Sequence, residues 1–371
     1  MFKSEILTSE ADVEALEGEW RHLQQSVGRT PFTNYDWFKA WWDNLGKSRG
    51  RTLHIVTGRI DQQLVAILPL AVLHKKGLRV LQNIGKESLF PCDILSESME
   101  HTKTLWETAR QSPLYDFSLI GDVEAGSDGD QILAGFSKRV KSEKFLILRS
   151  SWSNGDAWMA SLPSKLQREY RRWQRRLQEK GELQYHIHTE GPLPTKIIDD
   201  MIRHKKDWCL QNGLHGFFDR DGAKAFFHQW IENAYASKQL FLAWLQCGDE
   251  TIAYNLGFFD EKIFYGYLVA NDPAWASFSP GTLAIMNSIR WAIDNEFREF
   301  NFMQGDATHK HRYTDDARDY AEWSFSHSLK GRLLQNLYLI TYRTKQRLKD
   351  ARKKQHVVPK PAAKPETDSA G

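Results

Sequence analysis

The stretch Ile263–Glu296, IFYGYLVANDPAWASFSPGTLAIMNSIRWAIDNE, decides how the chain is read. Its first nine residues are rich in β-branched and aromatic side chains and predict a strand. At Ser279 the character changes. Ser279 is a favoured N-cap residue, Pro280 suits the first helical position, and Gly281 follows. Ile285, Ile289 and Ala292, with Met286 and Ile293 beside them, predict a helix from Gly281 to about Asn295 with one buried face. Such a strand–turn–helix unit brings unpaired backbone N–H groups and the positive end of a helix dipole to one point. Gly281 lets a ligand approach that backbone closely. The unit reads either as a phosphate or pyrophosphate cradle or as a helix that is simply well capped.

Working outward, the strand REFNFMQGD, Arg298–Asp306, runs into a polar loop with His309-Lys310-His311-Arg312. Upstream lie two paired-strand patterns, 240–249 and 251–260, two helices near Thr195–Asn212 and Gly222–Ser237, and a strand over 183–190. The first 150 residues show a similar order. Val13, Leu16, Trp20 and Leu23 share one helix face, and PFTNYDWFKAWWDNLG is an aromatic-rich helix. Strands at 52–60 and 63–77 turn at Asp61-Gln62. A helix near 101–112, a strand at 115–123, a helix over Gly129–Lys141 and a strand at 144–151 follow. The segment 150–158 reads as a boundary. The expected architecture is α/β, with units over 1–155 and 156–332, each a mixed, largely antiparallel sheet flanked by helices. The spacing predicts a further helix over Leu333–Leu348, and the polar end of 333–371 reads as a disordered basic tail.

The helix at 164–180, within SKLQREYRRWQRRLQEKG, divides cleanly at 100° per residue. Leu166, Tyr170, Trp173 and Leu177 form an apolar stripe, and Arg168, Arg171, Arg172 and Arg175 lie opposite. The arginines make either a solvated face or a site for phosphates, an anionic glycan or lipid head groups, which guanidinium pairs bidentately.

Composition sets wider limits. The 371 residues suit two domains at roughly 150 residues each, and the net charge of +3 names no partner. Cys92, Cys209 and Cys247 are scattered without CxxC spacing, which argues against a disulfide framework and a zinc ribbon and points to a reducing, cytoplasmic compartment. The start MFKSEILTSEADVEALE has acidic residues where a secretory signal has its apolar core. No apolar run reaches the ~18 residues of a membrane span. His186 and His188 share a strand face but lack further ligands, so no metal is expected. The sequence carries no sign of a particular oligomeric state.

Taken in order, the aromatic N-terminal segment, the arginine-rich helix, the Ser279-Pro280-Gly281 turn and the strand–loop from Asn301 to Lys310 resemble the CelD/FemAB-type branch of the GCN5-related N-acetyltransferase (GNAT) superfamily. The resemblance covers about residues 1–330. Its strand motif has the form D-F-x-x-G-[DE]-x-x-Y-K. Gly305, Asp306 and Lys310 match it, while Asn301 replaces the Asp and His309 the Tyr. The resemblance implies two tandem GNAT-like folds and transfer of an acetyl or other acyl group from acyl-CoA to an amine or hydroxyl of a sugar or cell-envelope precursor. An aminoacyl-tRNA donor, as in FemAB proteins, and a non-catalytic scaffold in polysaccharide assembly are the alternatives. It puts CoA pyrophosphate at Ser279, Gly281, Thr282 and Leu283, with the thioester oxygen near Val269. Asp306, His309 and Lys310 become the candidate catalytic residues, with His309 or Asp306 as base. Partners follow as a small-molecule or glycan acceptor, tRNA under the alternative, and anionic surfaces by peripheral contact.

Overall fold

The computed structural model describes residues 1–28, 31–86, 94–304 and 310–355. In the first half, β1 (Phe2–Leu7) leads into α1 (Glu10–Glu14) and α2 (Glu17–Val27). The aromatic run makes α3 (Tyr35–Trp41), extended by a π-helical turn over Trp42–Gly46. Next come β2 (Thr52–Ile60), β3 (Gln63–Lys75), β4 (Leu78–Asn83), a short β5 (Leu95–Ser96), α4 (Met99–Gln111), β6 (Phe117–Glu124), α5 (Asp128–Ala134) and β7 (Lys138–Arg149). The second half begins with α6 (Gly155–Ser161), α7 (Ser164–Gln178), β8 (Leu183–Ile187), α8 (Thr195–Gln211) and α9 (Ala223–Ala236). It continues with β9 (Leu240–Cys247), β10 (Glu250–Phe259), β11 (Ile263–Asn271), α10 (Pro280–Asp294), β12 (Glu299–Asn301), β13 (Ala317–Ser324) and α11 (Leu329–Gln355).

Local chemistry accounts for many of these boundaries. Asp61 and Gln62 both adopt positive φ, 47° and 71°, as a two-residue hairpin turn between β2 and β3 requires. The expected helix over Gly129–Lys141 stops instead at Ala134, and β7 begins at Lys138. The reason is distant in sequence: residues 138–146 pair with β13, so a far partner overrides the local pattern. Helix α11 starts before Leu333 and continues past Leu348 to Gln355; the remaining tail, 356–371, lies outside the described residues.

The described strands form one mixed, largely antiparallel sheet, ordered β1-β2-β3-β4-β6-β13-β7-β12-β11-β10-β9-β8, with β5 beside β3. Helices flank it. Each half contains a parallel pair, β4 with β6 and β11 with β12, bridged by α4 and α10 respectively. The halves exchange strands. β13, from the end of the second half, sits between β6 and β7. β7, from the first half, pairs through Ile147, Leu148 and Arg149 with β12. The core crosses the halves too. Trp37, Phe38 and Trp41 share one buried cluster with Phe226, Trp230, Phe258 and Tyr265, and Trp230 stacks on Phe258 with ring centroids 3.6 Å apart.

Buried hydrogen bonds hold the exchanged strand at its end. Ser324 Oγ donates to the Ser118 carbonyl (2.7 Å), Gln335 Nε2 donates to Ser324 Oγ (2.9 Å), and the Phe325 N–H donates to Ser118 Oγ (2.9 Å). Replacing Ser324 by Ala leaves the Gln335 amide and the Ser118 carbonyl short of partners. Urea denaturation of Ser324→Ala is expected to show a loss of about 1–3 kcal/mol; an unchanged midpoint would mean that packing alone seats β13.

Candidate active site

The site is built on β11. Its register with β10 slips between Gly266 and Leu268, so Tyr267 is the extra residue of a bulge. The bulge changes which face the later side chains take. Tyr265 before it and Leu268 and Ala270 after it all enter the same core cluster. Val269 is thereby turned to the opposite face, where α10 begins. A Cβ on Gly281 would lie 3.3 Å from Asn271 Oδ1 and 3.5 Å from Val269 Cγ1. Glycine is needed here for close approach, since Gly281 is not among the positive-φ glycines.

On its other edge β11 runs beside β12 for three residues only, Ile263 by Glu299, Phe264 by Phe300 and Tyr265 by Asn301. β11 continues to Asn271, but the chain after Asn301 turns away. Phe302 stays with β7, its N–H donating to the Leu146 carbonyl (3.0 Å). Met303 takes a positive φ of 55°, and its N–H donates to Asn301 Oδ1 (2.9 Å). Lys310 Nζ donates to the carbonyls of Phe302, Met303 and Gln304 at 2.8, 3.1 and 3.1 Å. The outcome is a wedge between the far end of β11 and residues 302–304. Asn301, 2 % exposed, explains its departure from the family motif: the kink needs an acceptor oxygen, and an amide supplies one as a carboxylate does.

The start of α10 is more restricted than expected. Ser279 is the cap residue, but it sits in the left-handed region (φ 55°, ψ 43°) and its side chain makes no capping hydrogen bond. The Thr282 and Leu283 N–H groups both reach the Ser279 carbonyl, at 3.0 and 3.3 Å. Pro280 has no N–H. Among the described residues, the Gly281 N–H is the first-turn amide left without a partner. Leu283 is buried in the core, so only its backbone belongs to this turn. Helix α10 is pinned from below by Asn255 Nδ2, which donates to the Ala284 carbonyl (3.1 Å). The corresponding helix of the first half differs: Ser98 Oγ accepts from the His101 N–H (3.2 Å) and closes the start of α4.

Helix α7 flanks the turn. Leu166, Tyr170, Trp173 and Leu177 are buried as the stripe required. Arg168, Arg171, Arg172 and Arg175 are exposed, and none forms an ion pair with a described residue. The contact that sequence reading missed is Arg176. Its guanidinium lies 4.6 Å over the Phe278 ring and donates to the Ser277 carbonyl (3.4 Å), which joins α7 to the turn before Ser279. Its spacing four residues after Arg172 was the available signal. Asp306 and His309 lie outside the described residues. His186 stacks on Trp244 (5.2 Å) and His188 tilts against Tyr235 (5.0 Å), so both pack on aromatic neighbours.

Residues 164–311, from α7 through the wedge to the Lys310 loop, match the family model described as Acetyltransferase (GNAT) domain. This segment is a GNAT domain. No curated protein matches the sequence. Solved structures match the fold across nearly the whole chain. FemX aligns with a TM-score of 0.61 at 11% identity, covering 91% of this chain and 100% of its own. The structure of L-PGS from Bacillus licheniformis aligns with a TM-score of 0.54 at 10% identity, covering 89% and 96%. The chain thus carries a segment that matches the GNAT domain model, within an α/β fold shared with FemX and L-PGS.

The geometry assigns Lys310 a positioning role, because its ammonium secures three successive carbonyls at the kink. Lys310→Met is expected to cost about 2 kcal/mol in urea denaturation. An unchanged midpoint would remove that role.

Proposed function

We propose that the protein is an acyl-CoA-dependent transferase that moves an acetyl or other acyl group to an amine or hydroxyl of a sugar or cell-envelope precursor. The observation that carries this reading is the wedge between β11 and β12 beside the unpartnered Gly281 N–H, inside the GNAT segment. In this reading the acyl-pantetheine arm lies in the wedge along the free edge of β11 near Val269. Gly281 N–H and the positive end of α10 receive a pyrophosphate oxygen, and Arg172 and Arg176 supply charge from α7. The acceptor nitrogen or oxygen bonds to the thioester carbonyl carbon, the carbon–sulfur bond breaks, and the acceptor proton passes to a base while CoA departs. Backbone N–H groups of β11 offset charge on the carbonyl oxygen. Asp306 and His309 are our candidates for the base. Positioning supplies much of the rate in such a reaction. The donor site belongs to the unit 156–332, and cytoplasm is the compartment we assign.

A second reading is an aminoacyl-tRNA-dependent transfer of the FemAB kind. Two observations favour it: the fold's likeness to FemX and the four exposed arginines of α7 that form no ion pair with a described residue. The donors separate by binding.

Acetyl-CoA at one hundred times its Kd should stabilise the chain by about 2.7 kcal/mol, read as a rise in Tm. Gly281→Val, which fills the space before Val269 and Asn271, should abolish that rise while keeping the far-UV CD spectrum. No stabilisation by acetyl-CoA, longer acyl-CoA or CoA would overturn the first reading. Binding of tRNA that weakens steeply with salt would establish the second.

A further inference from the structure

The first half has its own bulge, at the place that corresponds to the second half's kink. Along the β6–β13 pair, Ala321 faces Val123 and Trp323 faces Ile120, so Gly121 and Asp122 together oppose Glu322. Asp122 adopts a positive φ of 56°, rare and strained for a residue with a side chain. It is 6 % exposed, yet no hydrogen bond or ion pair from a described residue reaches its carboxylate. Unpaired buried carboxylates are costly, and strained ones more so.

The two ammonium groups around it, Lys86 and Lys141, act on it only from a distance, since their direct contacts go elsewhere. Lys86, which follows β4, is committed to Glu322 (3.1 Å) and to the Leu119 carbonyl (3.0 Å). Lys141 on β7 is committed to Glu143 (2.5 Å), with Glu322 at 3.9 Å. Tyr338 of α11 faces the same charges. Three carboxylates thus share two ammonium groups, and Asp122 is the one left over. Burial pushes its carboxyl up from the ordinary 3.8 to about 6. The cluster is joined to the wedge, because Gln304 Nε2 donates to Glu143. From the strand line of Gln304, the path to Asp122 crosses β7 and β13 to β6. That is roughly 14 Å at the usual strand spacing.

We propose that Asp122 is a specificity-determining residue that binds a protonated primary amine of the acceptor, remote from the atom that is acylated. The inference rests on the transferase reading and names the acceptor class: a molecule bearing a free ammonium group apart from its reactive amine or hydroxyl. The ammonium supplies the missing positive charge and the missing hydrogen-bond donors. Lys86, Lys141, Glu143 and Glu322 stay paired as they are and shape the site. The left-handed backbone at Asp122 turns the carboxylate into the cluster at a cost that ligand binding offsets.

The test uses the full chain and a matched pair of probes, the glucosamine disaccharide and its uncharged counterpart cellobiose. Binding is followed by calorimetry and thermal shift at constant ionic strength in KCl. The aminated disaccharide should bind and cellobiose should not. The affinity should fall at least tenfold in Asp122→Asn, and in the wild type it should fall as pH drops through 6 and the carboxylate is protonated. Without ligand, Asp122→Asn should raise Tm. The sign follows from the raised pKa: ionising the buried carboxyl removes stability as pH climbs from 3.8 to about 6, so the gain is full above 6. Acetyl-CoA binding should survive the substitution, so failure at Asp122 is separable from failure of the donor reading. Equal binding of both disaccharides, equal binding to Asp122→Asn, or no binding of the aminated probe would overturn the proposal.

Discussion

The structure depends on two strands that change sides. β7 lends its last three residues to β12, and β13 fills the space between β6 and β7. An open sheet edge is a row of unpaired N–H and C=O groups. Without the exchange each half would present such an edge at its centre. With it, the described strands form one continuous sheet, and the parallel pairs of both halves are fixed relative to one another. The aromatic cluster of Trp37, Trp41, Phe226 and Trp230 closes the same joint by burial rather than by hydrogen bonds. The two halves are therefore neither independent nor interchangeable.

Within this frame the halves have diverged at the same two points. Where β11 and β12 part, the chain of the second half turns away, fixed by Asn301 and Lys310 around the left-handed Met303. Where β4 and β6 part, the first half fills the space with Lys86, whose ammonium reaches the Leu119 carbonyl. Helix α10 leaves one amide unpaired at its start, and α4 closes its own with Ser98. A repeated framework thus ends in a turn with a free amide in one copy and in an ionised side-chain cluster in the other.

Much of the fold was legible in the sequence. The 3.6-residue stripe of Leu166, Tyr170, Trp173 and Leu177, the Asp61-Gln62 turn and the strand–helix unit around Gly281 depend on neighbours in the chain. The exchange was not legible, because its partners lie far apart in sequence. Residues 138–141 alternate ambiguously, and only β13 makes them a strand. The turn before α10 was legible because Pro280 and Gly281 have strong positional meanings. Its narrowing to one free amide was not, since that depends on the φ of Ser279. Asp122 sits in the run YDFSLIGDV as the second of two acidic residues, after Asp116. Its distinction is a bulge, and bulges arise between strands.

The exchange also has a consequence in time. Roughly 170 residues separate the end of β7 from the start of β13, and a ribosome needs on the order of ten to thirty seconds to add them. During that interval the space between β6 and β7 stands unfilled in the nascent chain, with apolar side chains such as Phe117 and Phe145 short of their final cover. Synthesis of this protein therefore passes through a stage at which the centre of its sheet waits for the strand that completes it.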